Sequence, residues 1–376
     1  MTALAQPAIV VRAPGKLFVA GEYAVVTPGE PSVLIAVDRY LTVSLTEGVD
    51  AGSIHSPEYG RMPVRWTRGA DGLTLDREHH PYDYVIAAIE AAEQLRSERG
   101  LPPRFFDLRI DSGLDDPSGR KFGLGSSAAV TVATIGAIDE FYGFDLGLRG
   151  RYELAMLATI AVAPNASGGD VAASTYGGWI GYRSPDRDRL RAARARDGVT
   201  AVLGSDAWAG SEIIRLSAPA GLQLLVGWTG HPASTERLVS GVSRGTSTTG
   251  DDHSTFLSQS RSCVGDLWRA LAPHDSEDAP DDDLALRAIR RNRRLLQELG
   301  ARSGVTIETE GLRILCDAAE RIGAAGKPSG AGGGDCGIVL APVGADVSGL
   351  LRTWETNDIR HLTIGVHPPE GEHHGG

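Results

Sequence analysis

Lysine is nearly missing from this chain. Of the 37 basic residues among 376, only Lys16, Lys121 and Lys327 are lysines, so arginine is the default surface cation. Cysteine is as sparse: Cys263, Cys316 and Cys336 are odd in number and widely spaced, which excludes a disulfide scaffold and fits a reducing, cytoplasmic setting. No His or Cys spacing matches a zinc site, and no Gly-x-Ser-x-Gly elbow is present. The longest apolar runs, 128 to 138 and 154 to 163, fall well short of the ~20 residues that span a bilayer, and no basic segment followed by an apolar one opens the chain. A soluble protein with no membrane partner is expected. Basic residues do not dominate either, since 48 acidic side chains bring the net charge to -11. That argues against a nucleic-acid partner, as does the Arg-rich 183 to 196 stretch, where Asp186 and Asp188 dilute the field and Tyr182 is the lone stacking aromatic. Any anionic ligand must be met by local cations. What is present, 41% hydrophobic and 23% charged residues, suffices for a substantial core over roughly two domains.

Each lysine lies in a glycine-rich segment: APGKLFVAGEYAVV (13 to 26), GRKFGLGSSAAVT (119 to 131) and GKPSGAGGGDCG (326 to 337). A compact ammonium on a flexible stem suits close approach to a phosphate among tightly turning backbone groups; survival of three lysines through a drift toward arginine is the bland alternative. In the second segment Gly123 and Gly125 let the backbone turn and approach an anion. Ser126 and Ser127 place hydroxyls at the start of a helix whose free amides favour phosphate. A dinucleotide-binding turn does not fit, because the loop DSGLDDPSGRKF separates the preceding strand from the first glycine and Asp139 and Glu140 fall inside the helix. A Walker A site is absent, since Leu17 and Pro328 follow the two Gly-Lys pairs. The third segment packs five glycines between 330 and 337, the makings of a loop that lets a ligand lie against bare backbone. Asp170, among small residues in PNASGGDVAASTYGGW, is either a turn residue bonded to its own backbone or an acid-base group with room for a substrate beside it. Cys336, next to an apolar strand, reads as a packed thiol.

The pattern predicts strands at 8–12, 40–46, 105–111, 222–228, 336–341 and 361–366. It predicts helices at 82–99, 126–142, 148–163, 234–241, 253–271, 283–300, 308–323 and 347–355. Residues 182–204 read as a variable connection between lobes, 274–283 as an acidic surface loop and 367–376 as a mobile tail. The expected class is mixed α and β, divided as 1–204 and 205–376.

The three segments, in this order, resemble the motifs of the GHMP family of small-molecule kinases. With AVDRYLTV, NASGGDVAASTYGGW and VGWTGHPASTERLV they look most similar to the bacterial branch that acts on phosphomevalonate. The resemblance covers nearly the whole chain and implies a two-domain α+β fold: an N-terminal lobe with a left-handed βαβ unit, a C-terminal ferredoxin-like lobe, and the active site between them. The implied reaction is ATP-dependent phosphorylation of (R)-5-phosphomevalonate to (R)-5-diphosphomevalonate, a step of isoprenoid biosynthesis; mevalonate or another small alcohol is the alternative acceptor. It further implies that Gly123, Leu124, Gly125, Ser126 and Ser127 wrap the ATP phosphates and that Ser126 or Ser127 helps hold Mg²⁺. By the same resemblance Asp170 is the catalytic acid-base group, Lys16 polarises the accepting oxygen, and Glu22, Tyr23, Ser167, Ser329 and Gly330 border the acceptor. Lys121, which the family loop does not demand, is expected on charge grounds to neutralise the acceptor phosphate, with contact to ATP as the alternative. Two positions depart from the family pattern. Gly119 stands where the loop often has proline, and Thr159 stands where mevalonate kinases carry a magnesium-binding Glu.

Overall fold

The computed structural model describes residues 7–60, 62–69, 72–77, 81–116, 119–230, 235–246, 250–272 and 281–371. Its first lobe is built on one unusually long strand. β1 (Ile9–Ala20) runs antiparallel beside β2 (Pro31–Gly48) over nearly its whole length. The other edge of β2 is shared by two strands: its second half pairs with β6 (Phe105–Ser112) and its first with β7 (Trp179–Arg183). β3 (Gly52–His55), β4 (Val64–Gly69) and β5 (Gly72–Leu75) extend the sheet beyond β6, and β8 (Glu212–Leu216) extends it beyond β7. Among these pairings only β3 with β6 is parallel, reached through α1 (Asp83–Glu98). α2 (Ser126–Tyr142), α3 (Gly147–Val162) and the short α4 (Gly169–Tyr176) complete the layer against the sheet. α2 is apolar almost all round and buried accordingly.

The expected connection at 182–204 is instead ordered structure: the last residues of β7 followed by α5 (Arg187–Val202). Asp186 caps α5 by accepting from the Asp188 and Arg189 amides at 3.0 and 3.1 Å. Gly198 kinks it, and the Glu98 carboxylate takes the Val199 and Thr200 amides beyond the kink. Leu190, Ala193, Val199 and Val202 are buried, an apolar stripe that the arginines conceal in the sequence. The expected division at 204 also falls short of β8, whose pairing with β7 keeps Glu212–Leu216 in the first sheet. The change of sheet lies between Leu216 and Leu222.

The second lobe runs β9 (Leu222–Trp228), α6 (Thr235–Thr246), α7 (Gly250–Ala270), α8 (Asp282–Ser303), α9 (Glu310–Glu320), β10 (Ala325–Pro328), β11 (Cys336–Pro342), α10 (Val347–Thr356) and β12 (Arg360–Leu362). The sheet order β10-β11-β9-β12, antiparallel throughout, is that of a ferredoxin-like lobe. Alternation sends successive residues of β11 to opposite cores. Ile338 and Leu340 join the large core shared with the first lobe, while Val339 and Ala341 pack with Leu315, Cys316 and Trp354 beneath α9 and α10. α7 reaches back onto the first lobe, where Trp268 donates to the Ser32 carbonyl at 3.1 Å and Arg261 pairs with Glu30.

The C-terminal segment is not a loose tail through Gly371. His367 donates its amide to Ala36 O and accepts from the Gly178 amide, and the Glu370 amide bonds to Tyr176 O. The 372–376 part of that expectation, and the 274–280 part of the acidic loop, lie outside the described residues, as does Ser234 at the expected start of α6. Among the described residues no helix is long and apolar enough to cross a membrane.

Candidate active site

The three glycine segments converge where the lobes meet. The first is mostly strand: Pro14 pairs with Tyr40 but Gly15 with Val37, so a bulge in β2 lets the strand bearing Lys16 swing toward the start of α2. Gly15 is pressed against the second segment, since a Cβ there would lie 2.9 Å from the Leu124 carbonyl. The Lys16 amide bonds to that same carbonyl at 2.8 Å, and its Nζ donates to Gly123 O at 3.2 Å. Gly125, left-handed at φ 81°, is the N-cap of α2 and offers no side-chain acceptor to the first-turn amides. Gly123, at φ 80°, abuts the Asp335 carboxylate. The loop is thus held between Lys16 and Asp335, with the half-buried Ser126 and Ser127 on the amide-rich, positive end of α2.

The third segment lies against the first. Ser329 Oγ accepts from the Phe18 amide and donates to its carbonyl, both at 2.9 Å. Tyr23, a non-glycine residue at φ 61°, donates its hydroxyl to Ala331 O at 2.6 Å. Gly330 continues the turn beside these contacts, at φ 75°. Two charged residues depart from expectation. Glu22, expected at the acceptor, is buried and ion-paired with Lys327, and Lys327 is sealed from solvent rather than reaching a phosphate. Leaving water costs an ammonium more than it costs a peptide, so in the sequence the third lysine looked like the other two; its buried partner lies 305 positions away.

Asp170 sits in the first turn of α4, not in a glycine turn; left-handed Gly168 is the cap, and α4 packs on β1 and α2. Its Oδ1 accepts from the Val171 amide at 3.0 Å, and the carboxylate is half-buried. Beneath it the Tyr182 hydroxyl donates to Ser167 O at 2.7 Å. Burial first, then Tyr152 and the Asp170 charge, drive that phenol well above its ordinary range, so it stays protonated. Lys121 is exposed on the approach to the loop, its backbone bridged to Asp115. The Glu58 carboxyl is pushed up by burial and by Asp115, and Lys121 pulls it back.

Among the described residues no group of three or more His, Cys, Asp or Glu side chains could hold a metal ion. Thr159 is buried in α3 with its hydroxyl bonded to Ala155 O at 2.8 Å. Cys336 is a packed thiol, as expected, donating to Phe122 O at 3.0 Å. Asp335 and Thr229 were not singled out in the sequence. Thr229 donates its hydroxyl to Gly334 O and its amide to Asp335 O, fixing the end of the third segment. An acid closing a glycine run was visible; its contact with Gly123 was not.

The GHMP kinases N terminal domain matches residues 83–178 and the GHMP kinases C terminal domain residues 281–357. Over 374 residues the chain is 44% identical to phosphomevalonate kinase of Streptomyces sp. (strain CL190), covering 96% of this chain and 97% of that one. The chain belongs to the GHMP kinases. Mevalonate kinase of Methanothermobacter thermautotrophicus is 28% identical over 91% of this chain and 94% of its own. Among solved GHMP kinase structures, Streptococcus pneumoniae phosphomevalonate kinase in complex with phosphomevalonate and AMPPNP superposes with a TM-score of 0.82 at 27% identity, covering 95% of this chain and 99% of that one.

Proposed function

We propose that this GHMP kinase transfers the γ-phosphoryl group of ATP to the phosphate of (R)-5-phosphomevalonate, giving ADP and (R)-5-diphosphomevalonate in the mevalonate pathway of isoprenoid biosynthesis. The observation that carries this reading is the near-full-length, 44% identity to a phosphomevalonate kinase. The geometry supports it. Gly123 to Ser127 form an anion cradle at the start of α2, suited to a triphosphate, and Lys16 spans from that cradle toward the acceptor side. Asp170 accepts a proton from the attacking group or orients it, while Lys16 offsets charge on the transferring oxygens; positioning and charge stabilisation are the main requirements of phosphoryl transfer. Tyr23, Ser167, Ser329 and Gly330 border the acceptor, and Lys121 supplies a cation for a phosphate. Mg²⁺, when bound, would neutralise triphosphate charge. With two serine hydroxyls and no carboxylate cluster among the described residues, the fit is to a metal carried in on ATP and touched by Ser126 or Ser127. Three unpaired, buried thiols support the cytoplasmic setting expected from the sequence.

The test is ATP consumption with Mg²⁺ against mevalonate, phosphomevalonate and diphosphomevalonate in parallel. Turnover should be confined to phosphomevalonate and abolished by EDTA. Preference for mevalonate would make the chain a mevalonate kinase, and CO₂ release from diphosphomevalonate would make it a decarboxylase.

A further inference from the structure

Lys327 and Glu22 form an ion pair with both side chains almost wholly out of solvent, at 0% and 2% exposure. The ammonium also donates to Pro328 O at 2.6 Å, whereas Glu22 Oε2 is buried with no partner among the described residues. Stability is a poor explanation for such a pair: two charges have been desolvated, one oxygen is unsatisfied, and an apolar pair of similar volume commonly does as well. Its place in the fold is more informative. Glu22 follows the strand that carries Lys16, and Lys327 is two residues before Ser329. The same two segments are also joined by neutral hydrogen bonds, Ser329 to Phe18 and Tyr23 to Ala331. An ion pair in a low-dielectric interior resists sliding more than those neutral bonds do.

We propose that Glu22 and Lys327 are a positioning pair that sets the 329–334 segment of the second lobe against Lys16 of the first, fixing where the acceptor lies relative to the phosphate loop. Neither side chain touches the acceptor. Misplacement of reacting groups by about 1 Å can cost on the order of a hundredfold in rate, so the pair acts on turnover more than on affinity for ATP. This inference rests on the cleft being the phosphomevalonate site. Turnover of phosphomevalonate by the unaltered chain is therefore measured first; its absence defeats that reading, and the variants are then assayed with whichever acceptor is used.

The variants are Lys327→Met, Glu22→Gln, the double Glu22→Gln/Lys327→Met, and Glu22→Asp, all in the full chain. Each neutralising single variant strands a buried charge and should lower both Tm and kcat. The double variant strands none, so its Tm should recover toward wild type while kcat stays at least about tenfold down and KM for ATP changes by less than about threefold. Glu22→Asp keeps both charges but shortens the link by one methylene, and should lower kcat about fivefold or more with little change in Tm. A wild-type kcat in either the double variant or Glu22→Asp overturns the proposal. If the double variant does not fold, Glu22→Asp decides alone.

Discussion

Gly123 leaves no room for a side chain beside Asp335: a Cβ built on Gly123 would lie 2.8 Å from the Asp335 carboxylate. The first glycine of the loop before α2 therefore packs against the residue that closes the third glycine run, and the lobes share one boundary there. Gly123→Ala meets both that contact and a backbone at φ 80° that disfavours any side chain. Its KM for ATP should rise by about tenfold or more, equivalent to ~1.4 kcal/mol of binding. Steady-state kinetics with ATP varied is the check, and a KM within twofold of wild type would show that the loop does not cradle the nucleotide.

Asp170→Asn should keep the fold and nucleotide affinity yet lose turnover. A positioned carboxylate acting on a proton contributes about 10² to 10⁴ in rate. Among the described residues the half-buried Asp170 side chain makes no ion pair whose loss would unfold α4. Single-turnover rates and ATP-analogue titration separate the two effects; a kcat within threefold of wild type removes Asp170 from the mechanism.

Lys121→Met distinguishes the two anions that this cation could serve. Because Lys121 is exposed, its replacement should leave Tm unchanged. A raised KM for phosphomevalonate at constant KM for ATP assigns it to the acceptor phosphate, whereas a rise confined to ATP assigns it to the nucleotide. The expected outcome is the first. The phosphate carries roughly -1.5 to -2 charge, judged from phosphorylated side chains, and the net charge of -11 gives it no help.

The cysteines should be inert in the native state. Burial pushes the Cys263 thiol from 9.0 up to about 11, and the same cause pushes Cys316 and Cys336 higher. At pH 7.5 all three are protonated, and the thiolate is the nucleophile. A thiol reagent should label none of the three free cysteines until the chain is unfolded, with activity retained. The native state also holds a proton at Cys263 that the unfolded chain releases. Stability should therefore be full below about pH 9 and fall as pH rises toward 11, read as Tm against pH.

The local features were legible along the chain. Ser126 opens α2 and Tyr142 ends it, as the glycines on either side and the apolar run between them require. The strand at Leu222–Trp228 is likewise bounded by its own residues. These signals need only neighbours a few positions apart, and so does a glycine loop before a helix, which is why the loop at Gly123 to Ser127 could be read directly. α4 and α5 were hidden because eight residues with a glycine cap, or a stripe of four apolar residues among arginines, carry too little periodicity to compete with turn signals. Packing supplied what was missing.

What the sequence by itself determined is the inventory: three lysines among glycines, a glycine loop that opens a helix, and an acid in a small-residue segment. What only the tertiary structure decided is which charges meet. Lys16 and Lys327 look alike as Gly-Lys pairs, yet one lies over the phosphate loop at Gly123 and the other is sealed against Glu22. The fate of a lysine depends on whether folding leaves it water or a carboxylate. That carboxylate comes from the opposite lobe, beyond the reach of any local pattern.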